Sequence, residues 1–113
     1  MAVAFPDLKI VMAHMSWPFT EQATYMLYAH SNVYMDVAVV NWVIGRAGFH
    51  RLLQQVFETV GPDKILFGSD QMDMPEMIPV AVNAVQEASF LSEEDKRKIL
   101  GDNARRLLGI QAT

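Results

Sequence analysis

The stretch "KILFGSD", residues 64–70, joins a short apolar run to a carboxylate. Residues 64–68 have the length and the Ile, Leu and Phe content of a buried strand. Ser69 and Asp70 follow at once, and the chain then continues into the turn-like segment "QMDMPEM". Asp70 is therefore predicted at the carboxyl end of a strand, where a carboxylate either caps the next turn or faces a site.

Two earlier apolar runs, "LKIVMA" (8–13) and "VYMDVAV" (33–39), are also predicted strands. Helical spacing and end signals predict helices within 16–30, over 49–60, from about Met77 and from Ser92 to Gly109, with "NWVIGRAG" (41–48) as a loop. Strands that alternate with helices form a parallel sheet with right-handed crossovers. The sequence thus predicts one α/β domain over residues 1–113, either a small open sheet or a segment of a (β/α)₈ barrel.

Composition limits the class of protein. The 113 residues are 51% apolar and 19% charged, which is typical of a globular domain, and no Cys is present for a disulfide or a thiolate metal site. The net charge of −4, with no run of Lys or Arg, argues against a nucleic-acid or anionic-membrane surface. The first residues lack the features of a signal peptide, and no apolar run approaches the ~20 residues of a membrane span. We expect a soluble, cytoplasmic protein.

His14 and Asp70 are the candidate catalytic residues. Each follows a predicted strand, so both are expected at the carboxyl edge of the sheet, where ligands bind in open α/β sheets and in barrels. A structural histidine and a turn-capping aspartate are the alternative reading of the same residues.

Four motifs in order resemble a known family. "FPDLKIVMAHMSWP" (5–18), "NVYMDVA" (32–38), "VGPDKILFGSD" (60–70) and "LSEEDKRKILGDNARRLLGI" (91–110) are similar to the C-terminal part of the amidohydrolase-related proteins. This branch of the amidohydrolase superfamily includes aminocarboxymuconate-semialdehyde decarboxylase and related metal-dependent decarboxylases and hydrolases.

The resemblance implies the C-terminal segment of a distorted TIM-like (β/α)₈ barrel, with the three predicted strands as strands 6, 7 and 8. It implies that Asp70 binds a divalent metal, usually zinc, and can take the proton of the attacking water. It implies that His14 acts as an acid/base, or as a metal ligand in binuclear relatives. Zinc lowers the pKa of bound water to ~7, and carboxylate and imidazole are ordinary zinc ligands.

The family's His-x-His (or Glu-x-His) pair of strand 1 and its strand-5 histidine have no counterpart here, because His30 and His50 are predicted at the surface. We therefore expect the C-terminal part of a metal-dependent hydrolase or decarboxylase, inactive by itself. It would act on a small molecule in the complete enzyme and form homo-oligomers or pair with an N-terminal half. The alternative is a non-catalytic α/β module that self-associates through its open sheet.

Three other residues are weighed for the site. Trp17 and Arg46 are candidate substrate-binding residues, since an aromatic ring could line a pocket and a guanidinium could hold a substrate carboxylate. Packing and a solvated loop are the alternatives for these two. Asp36 lies inside a strand, so a structural hydrogen bond is favoured over a position in the barrel mouth. Asn103 is predicted to hold its helix in place.

Overall fold

The computed structural model describes residues 1–111 and contains a parallel three-stranded sheet. The strands are β1 (Ile10–Met12), β2 (Val33–Asp36) and β3 (Ile65–Leu66), and β2 lies in the middle. The predicted α/β class and the parallel pairing are confirmed, and all three carboxyl ends lie at one edge of the sheet.

Helices connect the strands in the predicted order. Helix α1 (Thr20–Ala29) lies between β1 and β2, and α2 (Val40–Val43) and α3 (Arg46–Val60) lie between β2 and β3. After β3 come α4 (Met77–Gln86), α5 (Glu93–Arg97), a π-helical turn (Lys98–Asp102) and α6 (Asn103–Leu108).

The core lies between the sheet and its helices. Its largest fully buried side chains come from all three layers and include Met15, Leu27, Met35, Phe49, Leu53, Ile65 and Ile99. Met35 and Val33 are buried on β2 and alternate with the half-buried Tyr34, and both residues of β3 are buried as well. The helices are amphipathic, as α3 shows with Phe49, Leu53 and Val56 on one stripe.

The paired strands are shorter than the predicted ranges. At the carboxyl edge of the sheet, the Asp36 side chain ends the pairing between β1 and β2. Its Oδ1 accepts hydrogen bonds from the backbone N–H groups of His14, at 2.9 Å, and Ala38, at 3.0 Å. A side chain thus satisfies amides that would otherwise continue the ladder between β1 and β2. The structural role predicted for Asp36 is confirmed.

The predicted loop over 41–48 is wrong, because α2 and the first turn of α3 lie there. The two glycines of this segment have different roles. Gly45 has a φ of +80° and separates the two helices, whereas Gly48 lies inside α3. Only the first glycine therefore breaks a helix.

The last helical segment begins as predicted, with Ser92 and Asp95 forming a reciprocal capping box, and Gly109 ends it in the left-handed conformation. Asn103 is 1% exposed, and its Nδ2 donates to the carbonyl oxygens of Pro62, at 2.7 Å, and Ile65, at 2.8 Å. The helix is thereby fixed to the start of β3, which confirms the prediction for Asn103.

Candidate functional site

His14 lies in a tight turn directly after β1. His14, Met15 and Ser16 have φ values of 57°, 52° and 52°, so three successive residues occupy the left-handed region. A positive φ is uncommon for residues other than Gly, although Asn, Asp and His adopt it more often than the rest, and strained backbone persists where surrounding contacts determine it. Here Met15 is completely buried and Asp36 holds the His14 amide, while the imidazole stays accessible.

Asp70 reaches the same edge from β3, two strands away. Its Oδ2 lies 3.3 Å from His14 Nε2, and the two side chains are 47% and 46% exposed. Asp70 also has a positive φ, 55°, which turns the chain at the end of the segment after β3. The structure thus brings the two sequence-predicted catalytic residues into contact at the carboxyl edge.

The end of β2 also carries unusual backbone. Val39 has φ 65° and ψ −54°, so left-handed or otherwise rare conformations follow each of the three strands. The next residues, Asn41 and Trp42, bond to the main chain directly before Asp70. Sequence reasoning missed both of them, because no local pattern signals a contact between segments 27 residues apart.

Of the other predicted site residues, Trp17 donates its backbone N–H to the His14 carbonyl at 2.9 Å, whereas Arg46 bonds to α4. Arg46 Nη1 pairs with Glu87 Oε2 and contacts the Asn83 carbonyl at 3.4 Å, so the first turn of α3 is tied to α4. Trp17 is 49% exposed in the segment that leads from His14 to α1. Their roles toward a substrate stay predictions.

The remaining histidines lie away from the edge. His30 ends α1, as expected, with its N–H donating to the Met26 carbonyl. The surface position predicted for His50 is wrong, because the ring is half-buried between α3 and α4. Its Nε2 is 2.8 Å from the Ala84 carbonyl oxygen, and Phe90 meets the ring edge-on.

Two lysines with shifted pKa values lie outside the site. Burial lowers the pKa of Lys64, whose Nζ donates to two carbonyls at the end of α1. A hydrogen bond to Asp63 raises the pKa of Lys98. Neither cation contacts His14 or Asp70, whereas the Asp36 carboxylate accepts a hydrogen bond from the His14 backbone N–H.

A metal ion is the group that this pair could hold in part. One imidazole nitrogen and one carboxylate oxygen are donor types that zinc accepts, and both are accessible. A catalytic zinc takes about three protein ligands. Over residues 1–111, no cluster of three or more His, Asp or Glu side chains could hold a metal ion. The pair supplies donor types that a metal binds, but its two ligands are fewer than a catalytic zinc takes.

A parallel sheet with flanking helices defines this chain as an α/β protein, and an imidazole and a carboxylate meet at the carboxyl edge of its sheet. Residues 1–110 match the family model described as amidohydrolase, and the chain belongs to that family. A curated relative, the protein fluG of Emericella nidulans, is 27% identical over 84 residues, which are 74% of this chain and 10% of that protein.

Solved structures show the same fold. 5-carboxyvanillate decarboxylase LigW from Sphingomonas paucimobilis is 24% identical with a TM-score of 0.70, over 97% of this chain and 36% of that one. An amidohydrolase from Burkholderia multivorans with bound zinc is 18% identical with a TM-score of 0.74, over 97% of this chain and 47% of that one. The chain therefore spans less than half of these relatives. No helix within 1–111 has the length and apolarity to cross a membrane.

Proposed function

We propose that this chain is the C-terminal part of a metal-dependent hydrolase or decarboxylase of the amidohydrolase superfamily, with β1, β2 and β3 as strands 6, 7 and 8 of its barrel. The 3.3 Å contact between His14 Nε2 and Asp70 Oδ2 carries the proposal. It places an acid/base group beside a carboxylate that can bind a metal, at the edge of the sheet where barrel enzymes have their active sites. The family match and the zinc bound by one similar structure support it.

In this proposal the two residues have different tasks. Asp70 binds the divalent metal and takes the proton of the attacking water. His14 moves protons at the reacting group, a task for which enzymes use the imidazole side chain most often. When bound, the metal supplies a Lewis acid that makes hydroxide available near neutral pH.

The additional metal ligands come from outside this segment, because the described residues offer only the pair. The isolated chain should therefore be catalytically silent and bind zinc weakly. Trp17 and Arg46 are proposed to contact a small-molecule substrate. For Arg46 this requires the guanidinium to exchange Glu87 for a substrate carboxylate.

The test compares two substitutions in the full-length or reconstituted enzyme. Asp70→Asn should lower both metal content and kcat, because an amide is a weaker ligand and a poorer base. His14→Ala should lower kcat by ~10²–10⁴-fold while the metal stays. Asp73→Asn, a change of an exposed carboxylate three residues on, is the matched control and should leave both unchanged.

The outcomes separate the possible arrangements. Loss of the metal in His14→Ala would make His14 a ligand and favour the binuclear arrangement. Changes of less than about tenfold in kcat for both variants, or ~1.4 kcal/mol, would refute the site. For the isolated chain, a stoichiometric and tightly held zinc in a monomer would contradict the shared-ligand proposal.

Self-association without catalysis is the second candidate function. Within the described sheet, β1 and β3 each pair only with β2, so each leaves one edge unpaired. Exposed apolar side chains occur in β1 and in the segment before it, with Phe5, Leu8 and Val11 60%, 49% and 43% exposed. Open edges with exposed apolar residues favour association. Sedimentation should detect a dimer or larger species, whereas a stable monomer at ~100 μM would exclude this function.

A further inference from the structure

Two side chains of α2 bond to the main chain in front of Asp70. Asn41 Nδ2 donates to the Gly68 carbonyl at 2.9 Å, and Trp42 Nε1 donates to the Ser69 carbonyl at 2.8 Å. With the Gln71 amide turned so that its oxygen faces the indole, Gln71 Oε1 also lies 3.0 Å from Trp42 Nε1. The residues on both sides of Asp70 are therefore held by one helical turn.

Burial makes the Asn41 contact persistent. Asn41 is 2% exposed, and its Oδ1 has no hydrogen-bond partner in the structure. A buried amide cannot exchange its protein partner for bulk water, so breaking the bond to Gly68 would leave a second unsatisfied group. The Asn41 side chain therefore stays in place, because its hydrogen bond to the Gly68 carbonyl offsets part of the cost of burying the amide.

The backbone around Asn41 is strained and closely packed. Val39 adopts φ 65° and ψ −54° just before α2, although β-branched residues rarely have positive φ. The segments also approach closely at Gly68, where an added Cβ would lie 3.1 Å from Ala38 Cβ. Strain and close packing thus occur where the end of β2 meets the end of β3.

The same strand end holds the other member of the pair. Asp36, the last residue of β2, accepts the hydrogen bond from the His14 backbone N–H. Residues 36–42 are therefore bonded to the backbone on both sides of the site, although β1 and β3 are not neighbours in the sheet.

We infer that Asn41 and Trp42 are positioning residues, which fix the backbone before Asp70 so that its carboxylate meets His14. Asp36 does the same for His14, and residues 36–42 together set the separation of the pair. The catalytic meaning of this inference rests on the proposed function. The positioning itself is a property of the isolated chain and can be measured there.

The experiment uses nuclear magnetic resonance on the 113-residue chain with Trp42→Phe, Asn41→Leu and the double variant. Phe keeps an aromatic ring without the N–H donor, and Leu has the shape of Asn without its polar atoms. The readouts are backbone order parameters at 68–71 and the nuclear Overhauser contact between the His14 ring and the Asp70 β-protons. Asn83→Leu, on the exposed surface of α4, is the matched control.

We expect order parameters at 68–71 to fall from ~0.85 toward ~0.6 in the double variant, and less in each single variant. The His14–Asp70 contact should be lost, while Val33 and Met35 in the central strand stay rigid. Unchanged values at 68–71 would overturn the inference. A loss of order spread over the whole core would also overturn it, because that result describes a purely structural role.

A zinc titration of the same samples connects the inference to the proposed function. If the chain binds zinc weakly, the double variant should bind it about tenfold more weakly than the control. If the double variant binds zinc as tightly as the control does, the link between this positioning and the metal role of Asp70 fails. The order parameters still decide whether Asn41 and Trp42 position it, so the two failures are distinguishable.

Discussion

Asn103→Ala should destabilise the fold by about 2–4 kcal/mol, and the structure gives the reason. The side chain is 1% exposed and donates to the carbonyls of Pro62 and Ile65. The Pro62 carbonyl keeps a second partner, the Ile65 N–H at 3.2 Å, so its loss costs about 1 kcal/mol. The Ile65 carbonyl is left buried with its Asn103 bond gone, which costs ~1–3 kcal/mol.

Urea denaturation followed by circular dichroism measures this change as a shift of the midpoint at constant m-value. At about 4 °C per kcal/mol for a chain of this size, the melting temperature should fall by ~8–16 °C. Asn103→Asp should be at least as damaging, because it places a carboxylate oxygen against two carbonyl oxygens. Asn83→Ala, at an exposed position of α4, should stay within ~0.5 kcal/mol. A loss below 1 kcal/mol for Asn103→Ala, or a milder effect of Asp than of Ala, would refute this reasoning.

Other residues give independent tests. Gly68→Ala should cost ~1–3 kcal/mol in urea denaturation, because the new Cβ would lie 3.1 Å from Ala38 Cβ, and Ala38→Gly should restore most of the loss. The raised pKa of Lys98 means that its pairing with Asp63 stabilises the fold fully below about pH 10.5 and that this stability is lost as pH rises through the raised pKa. Melting temperatures between pH 9 and 12 should therefore fall less steeply in Asp63→Asn, and equal slopes would contradict the assignment. Lys64→Met should cost ~1–2 kcal/mol in thermal unfolding, since two carbonyls at the end of α1 lose their donor; an unchanged melting temperature would count against it.

The strands and most helices could be predicted because their signals are local. Apolar runs, the Ser92 capping box and Gly109 each act within a few residues, and the structure follows them. Segment 41–48 could not be predicted, because Gly45 breaks a helix and Gly48 does not, and only the tertiary context separates them. The π-helical turn within the last helix likewise has no signal in the apolar spacing.

The two side chains that meet at the carboxyl edge could be predicted from the sequence, and the residues that hold them there could not. His14 and Asp70 follow apolar runs directly, so the parallel topology alone places them at one edge. The bonds from Asn41 and Trp42 link segments that are distant in sequence. The pairing of Arg46 with Glu87 joins α3 to the end of α4, which the loop prediction did not allow for.

The left-handed turn at His14, Met15 and Ser16 has a consequence for how such a site changes over evolutionary time. At position 14, where the side chain is exposed, glycine and asparagine would occupy this backbone region at lower conformational cost, so these substitutions should relieve strain even as they remove the imidazole. A lineage released from selection for activity should drift toward those residues, since stabilising changes at strained functional positions are common. If related chains keep a histidine at position 14, selection for the chemistry of the imidazole must therefore outweigh the stability that glycine or asparagine would add.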